Sequence, residues 1–304
     1  MQPHEILETE LATWSGVPHA VACSSGTAAL HLALEALQLP RFTCVAIPDY
    51  TMVACARAVS LAGLTPVLIG CKPDWTMDPT QLWRAARSAY RISAIMPVHV
   101  YGRRCDMEAI MAAARYLGAP VVEDSAEAHG VPPHKDTAAV CWSFYKNKIV
   151  HGEEGGAVGF KDPRLAERAR QLRCLGFSEA HDYRHAPRGC NYRLAPSLAT
   201  KVLSSLMAYP GEVANRRRME AEYNKLAPTP PRNAPWVYDL RSERAAAAVR
   251  KLNASGIAAR VGFVPMSLQE EYRSCSRFGE CPDWESVLHL PLTGPFCHDL
   301  LSCL

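Results

Sequence analysis

No apolar run in the 304 residues reaches the roughly 18 that a membrane span requires. Charge of one sign is scarce too: 33 Lys and Arg stand against 30 Asp and Glu, a net charge of +3. That balance argues against an obligate acidic partner, since nucleic-acid binders carry a stronger basic bias. No Cys-x-x-Cys pair occurs among the 12 cysteines, and Cys275 and Cys281 stand at a spacing unlike common zinc modules, so no metal site is expected. The cysteines are scattered, several within apolar strand-like runs, which predicts buried free thiols in a reducing cytoplasm. Repeats and low-complexity tracts are absent, and 48% hydrophobic with 21% charged residues excludes a disordered chain. The opening MQPHEILETELATW is acidic and amphipathic, unlike a secretory or transit peptide.

What is present is an alternation. Strand-like apolar runs are expected at His19–Cys23, Cys44–Pro48, Pro66–Gly70, Ala94–His99, Pro120–Asp124, Val140–Phe144 and Gly156–Phe160. Helical patterns at Thr27–Leu37, Val53–Ala62, Pro79–Tyr90 and Asp106–Leu117 separate the first five. Short strands buried on both faces with helices between them predict an α/β fold. Its sheet would be mixed and mostly parallel, with seven strands. Two more helices are expected near Arg164–Cys174 and Pro196–Met207, then a break at Leu226–Pro235, where prolines prevent regular structure. Beyond it come strand-like Trp236–Leu240, a helix near Ser242–Ser255, strand-like Ile257–Phe263 and a last strand Val287–Leu290. The chain is long for one core, so we expect a large domain over 1–208 and a small C-terminal α+β domain over 209–304.

In an open α/β sheet, ligands collect at the carboxyl ends of strands. After the first strand stands Ser24-Ser25-Gly26-Thr27, opening a helix; such a turn offers N–H groups to a phosphate, or is a routine N-cap. After the fifth comes Asp124, a carboxylate that at a buried strand end needs a cation, supplied by a protonated heterocycle or by an Arg. After the sixth comes Tyr145-Lys146-Asn147-Lys148 and a glycine turn, where a lysine is either an enclosed amine nucleophile or solvated surface. Together the three features match pyridoxal phosphate, which needs an anion site, an acid for its ring nitrogen and a lysine.

The chain also resembles the DegT-type sugar aminotransferases of pyridoxal-phosphate fold type I. HAVACSSGTAALHLAL, PDYTMVACARAVSLAGLTPVLI, MPVHVYGRRCDMEAI, VVEDSAEAHG, WSFYKNKIVHGEEGGAV and RGCNYRLAPSLA are similar to the family's motifs, in order, and the tail GIAARVGFVPMSLQEEY through VLHLPL to its terminal domain. The resemblance implies that Lys148 is the Schiff-base lysine and Asp124 the acid beside the ring nitrogen, with Glu127 near the phenolic oxygen. It implies cofactor contacts from Ser25, Gly26, Thr27 and Ser143, with Met52 where an aromatic ring often stacks. Asn191 matches a residue that reaches the neighbouring subunit's phosphate, which implies a homodimer with its sites at the interface. Tyr50, His151 and Arg193 are the candidates on the substrate side, Arg193 serving a substrate anion or a dimer salt bridge.

The implied reaction moves an amino group from an amino acid such as glutamate to a keto group on a nucleotide-linked sugar. Two rivals stand beside it: a decarboxylase or lyase on an amino-acid-bearing substrate, which could be nucleotide- or nucleic-acid-linked, and a non-catalytic regulatory relative. A dehydratase is disfavoured because the family's dehydratases replace the lysine. The resemblance starts near the family's first core helix, without its N-terminal arm, so a more open cleft is expected, and Glu153 replaces a usual glycine. His99 and His129 read as structural, Arg216-Arg217-Arg218 as a solvated face, and Trp236 and Trp284 as core of the small domain. No membrane partner is expected, and the location is expected to be cytoplasmic.

Overall fold

The computed structural model describes residues 2–177, 183–185, 188–298 and 300–304. Helix α1 (Pro3–Ser15) opens with a reciprocal cap between Gln2 and Glu5 and buries Leu7 and Leu11. Then come β1 (His19–Cys23), α2 (Gly26–Ala36), β2 (Cys44–Pro48), α3 (Ala54–Leu61), β3 (Thr65–Ile69), α4 (Pro79–Ala86), β4 (Ile92–Ile95), α5 (Met107–Leu117), β5 (Val122–Asp124), β6 (Ala139–Ser143), β7 (Gly156–Phe160) and α6 (Pro163–Arg173). The starts of α4, α5 and α6 are fixed by Asp78, Asp106 and Asp162, whose carboxylates accept first-turn N–H groups.

The strands form two four-stranded ladders, β1-β7-β6-β5 and β10-β3-β2-β4, where β10 is Arg277–Phe278. Isolated parallel bridges, Ile95 to Val121 and Val98 to Asp124, join β4 to β5 and make the two ladders one mixed surface. Only β7 runs antiparallel to its neighbours; β5–β6 and the second ladder are parallel. The α/β class with a mixed sheet therefore holds. β10 was not foreseen: two residues are too short for a periodicity, and their pairing with β3 is set by tertiary packing.

Helix α7 (Pro196–Leu226) is 31 residues long and does not stop near Met207 as its sequence suggested. Pro210 removes one backbone bond, yet the helix continues because both flanks are buried, Ala199, Val202 and Leu206 before it and Arg216, Glu220 and Tyr223 after it. It runs unbroken through positions 208 and 209. After it β8 (Val237–Arg241), α8 (Ala245–Ala254), β9 (Arg260–Val261) and β11 (Val287–Pro291) build an antiparallel sheet in the order β8-β11-β9. Its apolar face packs with Leu252, Ile257 and Leu300 around Tyr223 and Tyr238. Among the described residues, no helix is long and apolar enough to cross a membrane, and no disulfide is formed.

Candidate active site

The carboxyl ends of β1, β5 and β6 open into one cavity of about 490 Å³. At its first corner Ser25 caps α2, its Oγ accepting from Ala28 N at 3.1 Å. The next N–H groups, of Gly26 and Thr27, have no partner within the helix and lie where the helix dipole favours an anion. Only glycine fits at position 26, because a Cβ there would stand 2.7 Å from Ser143 Cβ. The α2 turn therefore presses directly on the end of β6.

Asp124 ends β5, buried, and its two oxygens are held from the protein side. Oδ1 accepts from Ala126 N at 2.9 Å, and Oδ2 accepts the Cys55 thiol at 3.1 Å. No ion pair to Asp124 is present among the described residues, so an Arg is not what balances this carboxylate. Burial and the Asp124 charge push the Cys55 thiol well up, which keeps it a donor.

Lys148 lies in the loop joining the antiparallel strands β6 and β7. Bonds from Phe144 N to Gly155 O and from Gly152 N to Phe144 O, each 2.8 Å, pull that loop back over the strand end. The Lys148 side chain is only 11% exposed, the figure that decides between the two readings of the lysine: this one is enclosed. Nζ stands 3.8 Å from Glu127 Oε1 and 3.9 Å from the centre of the Trp236 ring. Burial pulls the ammonium below its ordinary pKa, while the Glu127 and Asp124 carboxylates pull it back. Burial raises Glu127 to about 7, against the pull of Lys148 and of Tyr101 N, which donates to Oε2 at 2.8 Å.

The structure thus brings Ser25, Gly26, Thr27, Met52, Asp124, Glu127, Ser143 and Lys148 to one cavity. Tyr50 does not line it: the ring is fully buried, its hydroxyl 2.8 Å from that of Tyr101 and accepting from Phe263 N at 3.1 Å. His151 is exposed beside a separate hollow with Lys201 and Ser205. Asn191 and Arg193 are exposed outside the cavity, Arg193 Nε donating to Asn191 Oδ1 at 3.0 Å. His129 is neutral, pulled down to about 3 by burial and by Lys148, and its Nδ1 accepts from Val150 N at 2.9 Å. His99 is buried against Glu123, 2.9 Å away.

Several wall residues escaped the sequence reading. Trp236 is not simply core: it covers the Lys148 amine and donates Nε1–H to Asn147 O at 2.9 Å. Arg260, Phe263 and His289 reach the same cavity from the C-terminal sheet. The arginine run is a solvated face only at Arg218. Arg216 is buried, ion-paired to Glu212 at 2.6 Å, and donates to Trp236 O at 2.8 Å; Arg217 donates to the carbonyls of Arg232 and Asn233. Helical spacing shows only the Glu212 and Glu220 pairs; the other partners are backbone carbonyls in and next to the proline-rich break.

An enclosed amine whose pKa burial lowers, in a sheet crevice beside a helix start open to an anion, is the arrangement of aminotransferases built on an α/β sheet. The chain belongs to the DegT/DnrJ/EryC1/StrS aminotransferase family, whose description matches residues 3–301. It is 35% identical over 288 residues to GDP-perosamine synthase of Caulobacter vibrioides, covering 87% of this chain and 77% of that protein. It is 34% identical over 318 residues to dTDP-3-amino-3,4,6-trideoxy-alpha-D-glucose transaminase of Streptomyces venezuelae, covering 98% and 80%. The crystal structure of a DegT DnrJ EryC1 StrS aminotransferase from Brucella abortus superposes with a TM-score of 0.89 at 27% identity, covering 99% of this chain and 88% of that one. The family depends on pyridoxal phosphate. The residues present fit that group: a buried carboxylate with no ion pair among the described residues, an enclosed lysine, and a helix start cleared of side chain at Gly26.

Proposed function

We propose that this enzyme moves an amino group from an amino acid, glutamate, to the keto group of a nucleotide-linked sugar. The observation that carries the reading is the convergence of Lys148, Asp124 and the open start of α2 on one cavity. Gly26, Thr27, Ser25 and Ser143 would hold the phosphate of pyridoxal phosphate, and Asp124 its ring nitrogen. When bound, that cofactor supplies an aldehyde and a ring that accepts an electron pair.

The rest falls to the chain. Ala126 N–H and the Cys55 thiol fix the plane of the Asp124 carboxylate while leaving it acceptor capacity. Burial biases Lys148 toward the neutral amine, the form that takes a proton from carbon or attacks a carbonyl. Glu127, poised near neutrality, takes up or releases charge as the Lys148 amine changes state. Trp236 shields Nζ from water. Met52, half exposed, offers a thioether at the rim where an aromatic ring would stack.

A homodimer in the cytoplasm belongs to the same proposal, with Asn191, and with it Arg193, serving a second copy's site. Tyr50 then supports the wall behind the substrate, and His151 lies on the outer face. The division at 1–208 and 209–304 assigns the cofactor side to the first part and the C-terminal wall to the second.

An absorbance spectrum of purified protein with pyridoxal phosphate, before and after L-glutamate, tests the reading. A visible band that Lys148→Ala abolishes, and that glutamate converts to the spectrum of pyridoxamine phosphate, is expected. A band that ignores glutamate and every other amino donor overturns transamination.

A further inference from the structure

In the C-terminal sheet one row of residues crosses three strands. Asp239 on β8 pairs with His289 on β11, and His289 with Arg260 on β9. The three have different fates. Asp239 is committed: both its oxygens accept from Arg103 at 2.9 Å, and Oδ1 also accepts from Arg232 at 2.8 Å. Arg260 is exposed, lines the cavity and makes no ion pair among the described residues. His289 packs its ring 5.8 Å from Tyr101 and 6.3 Å from Trp236, yet its buried Nδ1 has no hydrogen-bond partner.

A buried ring nitrogen without a partner is costly, and proteins leave few of them. The His289 ring lines the cavity that holds Lys148, beside Arg260, which makes no ion pair among the described residues. Burial, with Arg260 second, pulls His289 down to about 4, so the ring is neutral near pH 7 and adds a hydrogen bond without adding charge. A guanidinium and a neutral imidazole on adjacent strands present donors to an oxyanion with two or more oxygens.

We infer that Arg260 and His289 form an anion subsite on the C-terminal wall, which binds a phosphate or carboxylate of the substrate. This rests on the proposed reaction for where such a group would come from: the diphosphate of a nucleotide-linked sugar, or a carboxylate of the amino donor. The two sources share the chemistry and are separable by experiment. His289 packs against Trp236, the ring that covers the Lys148 amine, so an anion held there would anchor a substrate within the same cavity as Lys148.

Isothermal titration calorimetry on the full chain, with and without pyridoxal phosphate, tests this without any turnover. The probes are GDP and dTDP, with the matching nucleosides as controls, and L-glutamate and glutarate. Arg260→Gln raises Kd at least about tenfold for the anions that use the subsite and leaves the nucleosides unmoved. Arg260→Lys retains part of the affinity, and His289→Phe, which keeps the ring packing, costs about two- to tenfold. A loss confined to the diphosphates assigns the subsite to the nucleotide; one confined to the carboxylates assigns it to the donor. Wild-type protein that binds no anion, or Arg260→Gln protein that binds them all as wild type does, overturns the inference. Because these are binding readouts, they separate its failure from a failure of transamination, which the spectrum reports. Arg260 is exposed, so its variants should fold; unchanged melting temperatures check this.

Discussion

On the sheet side of the cavity the polar side chains are already engaged, whereas on the C-terminal side two of them are waiting. Asp124 has a protein donor on each oxygen, Glu127 takes Tyr101 N, and Ser25 Oγ is used as a helix cap. Across the gap, Arg260 has no ion pair among the described residues and His289 Nδ1 has no partner. A side wired from within holds a group that is always the same and must be oriented closely. A side with open valences suits a ligand that comes and goes. The contrast is local, since Asp239 in the same row of that sheet is ion-paired in burial to Arg103 and Arg232, and Arg232 to Glu220, at 2.6–2.9 Å.

The largest effect is expected from the engaged side. Lys148→Ala removes both the nucleophile and the proton carrier, and turnover falls by at least about 10²–10⁴-fold for lost proton transfer alone. Steady-state rates with glutamate check it. The melting temperature should fall little or rise, since an amine that burial desolvates is removed.

Next comes Asp239, in the same row as the open pair. Asp239→Asn leaves Arg103 and Arg232 buried without their counter-charge, at a cost of about 3–5 kcal/mol. Urea unfolding checks it. Survival of full stability would mean that the row is not what keeps the C-terminal wall rigid.

A smaller loss follows from Gly26→Ala, whose Cβ would press on Ser143 Cβ from 2.7 Å. Overpacking of this kind costs about 1–3 kcal/mol. It should weaken cofactor binding more than it lowers stability, because the turn can shift away from β6 only by moving the N–H groups of Gly26 and Thr27. Fluorescence titration with pyridoxal phosphate and a thermal melt read the two effects separately.

The last change concerns pH. Glu127 has a folded pKa of about 7 against an ordinary 4.5. Between those values the folded protein keeps a proton that the unfolded chain has lost, so stability falls as pH rises through this window. Glu127→Gln, which keeps an acceptor for Tyr101 N, should remove that slope. Melting curves from pH 4.5 to 8 without added cofactor should flatten, with the variant more stable than wild type at pH 8 by an amount that vanishes toward pH 4.5.

The same division separates what could be read from the sequence from what could not. Ser25, Asp124 and Lys148 each follow a short apolar run that declares its own strand, and topology alone gathers strand ends in a crevice. Trp236, Arg260 and His289 belong to a sheet whose seat against the cavity depends on contacts far apart in the chain, such as Trp236 Nε1 on Asn147 O. No local pattern announces those. Tyr50 shows the limit from the other side. It follows a strand end as a site residue would, yet its ring turns into the core, where Trp75, Tyr101 and Phe263 surround it.

The pairing of β10 with β3 bears on how the chain is made. Leu68 N donates to Ser276 O and Gly70 N to Phe278 O, so the last strand of the large sheet is covered by residues from near the other end of the sequence. During synthesis β3 is an open edge until residue 278 has left the ribosome, a template for pairing with any other chain nearby. Closing that contact is among the longest-range events in the molecule, and such events are slow. A chain halted before β10 would therefore carry the lysine, the carboxylate and the phosphate turn on a sheet with a bare rim. Its fate would be set by aggregation before chemistry.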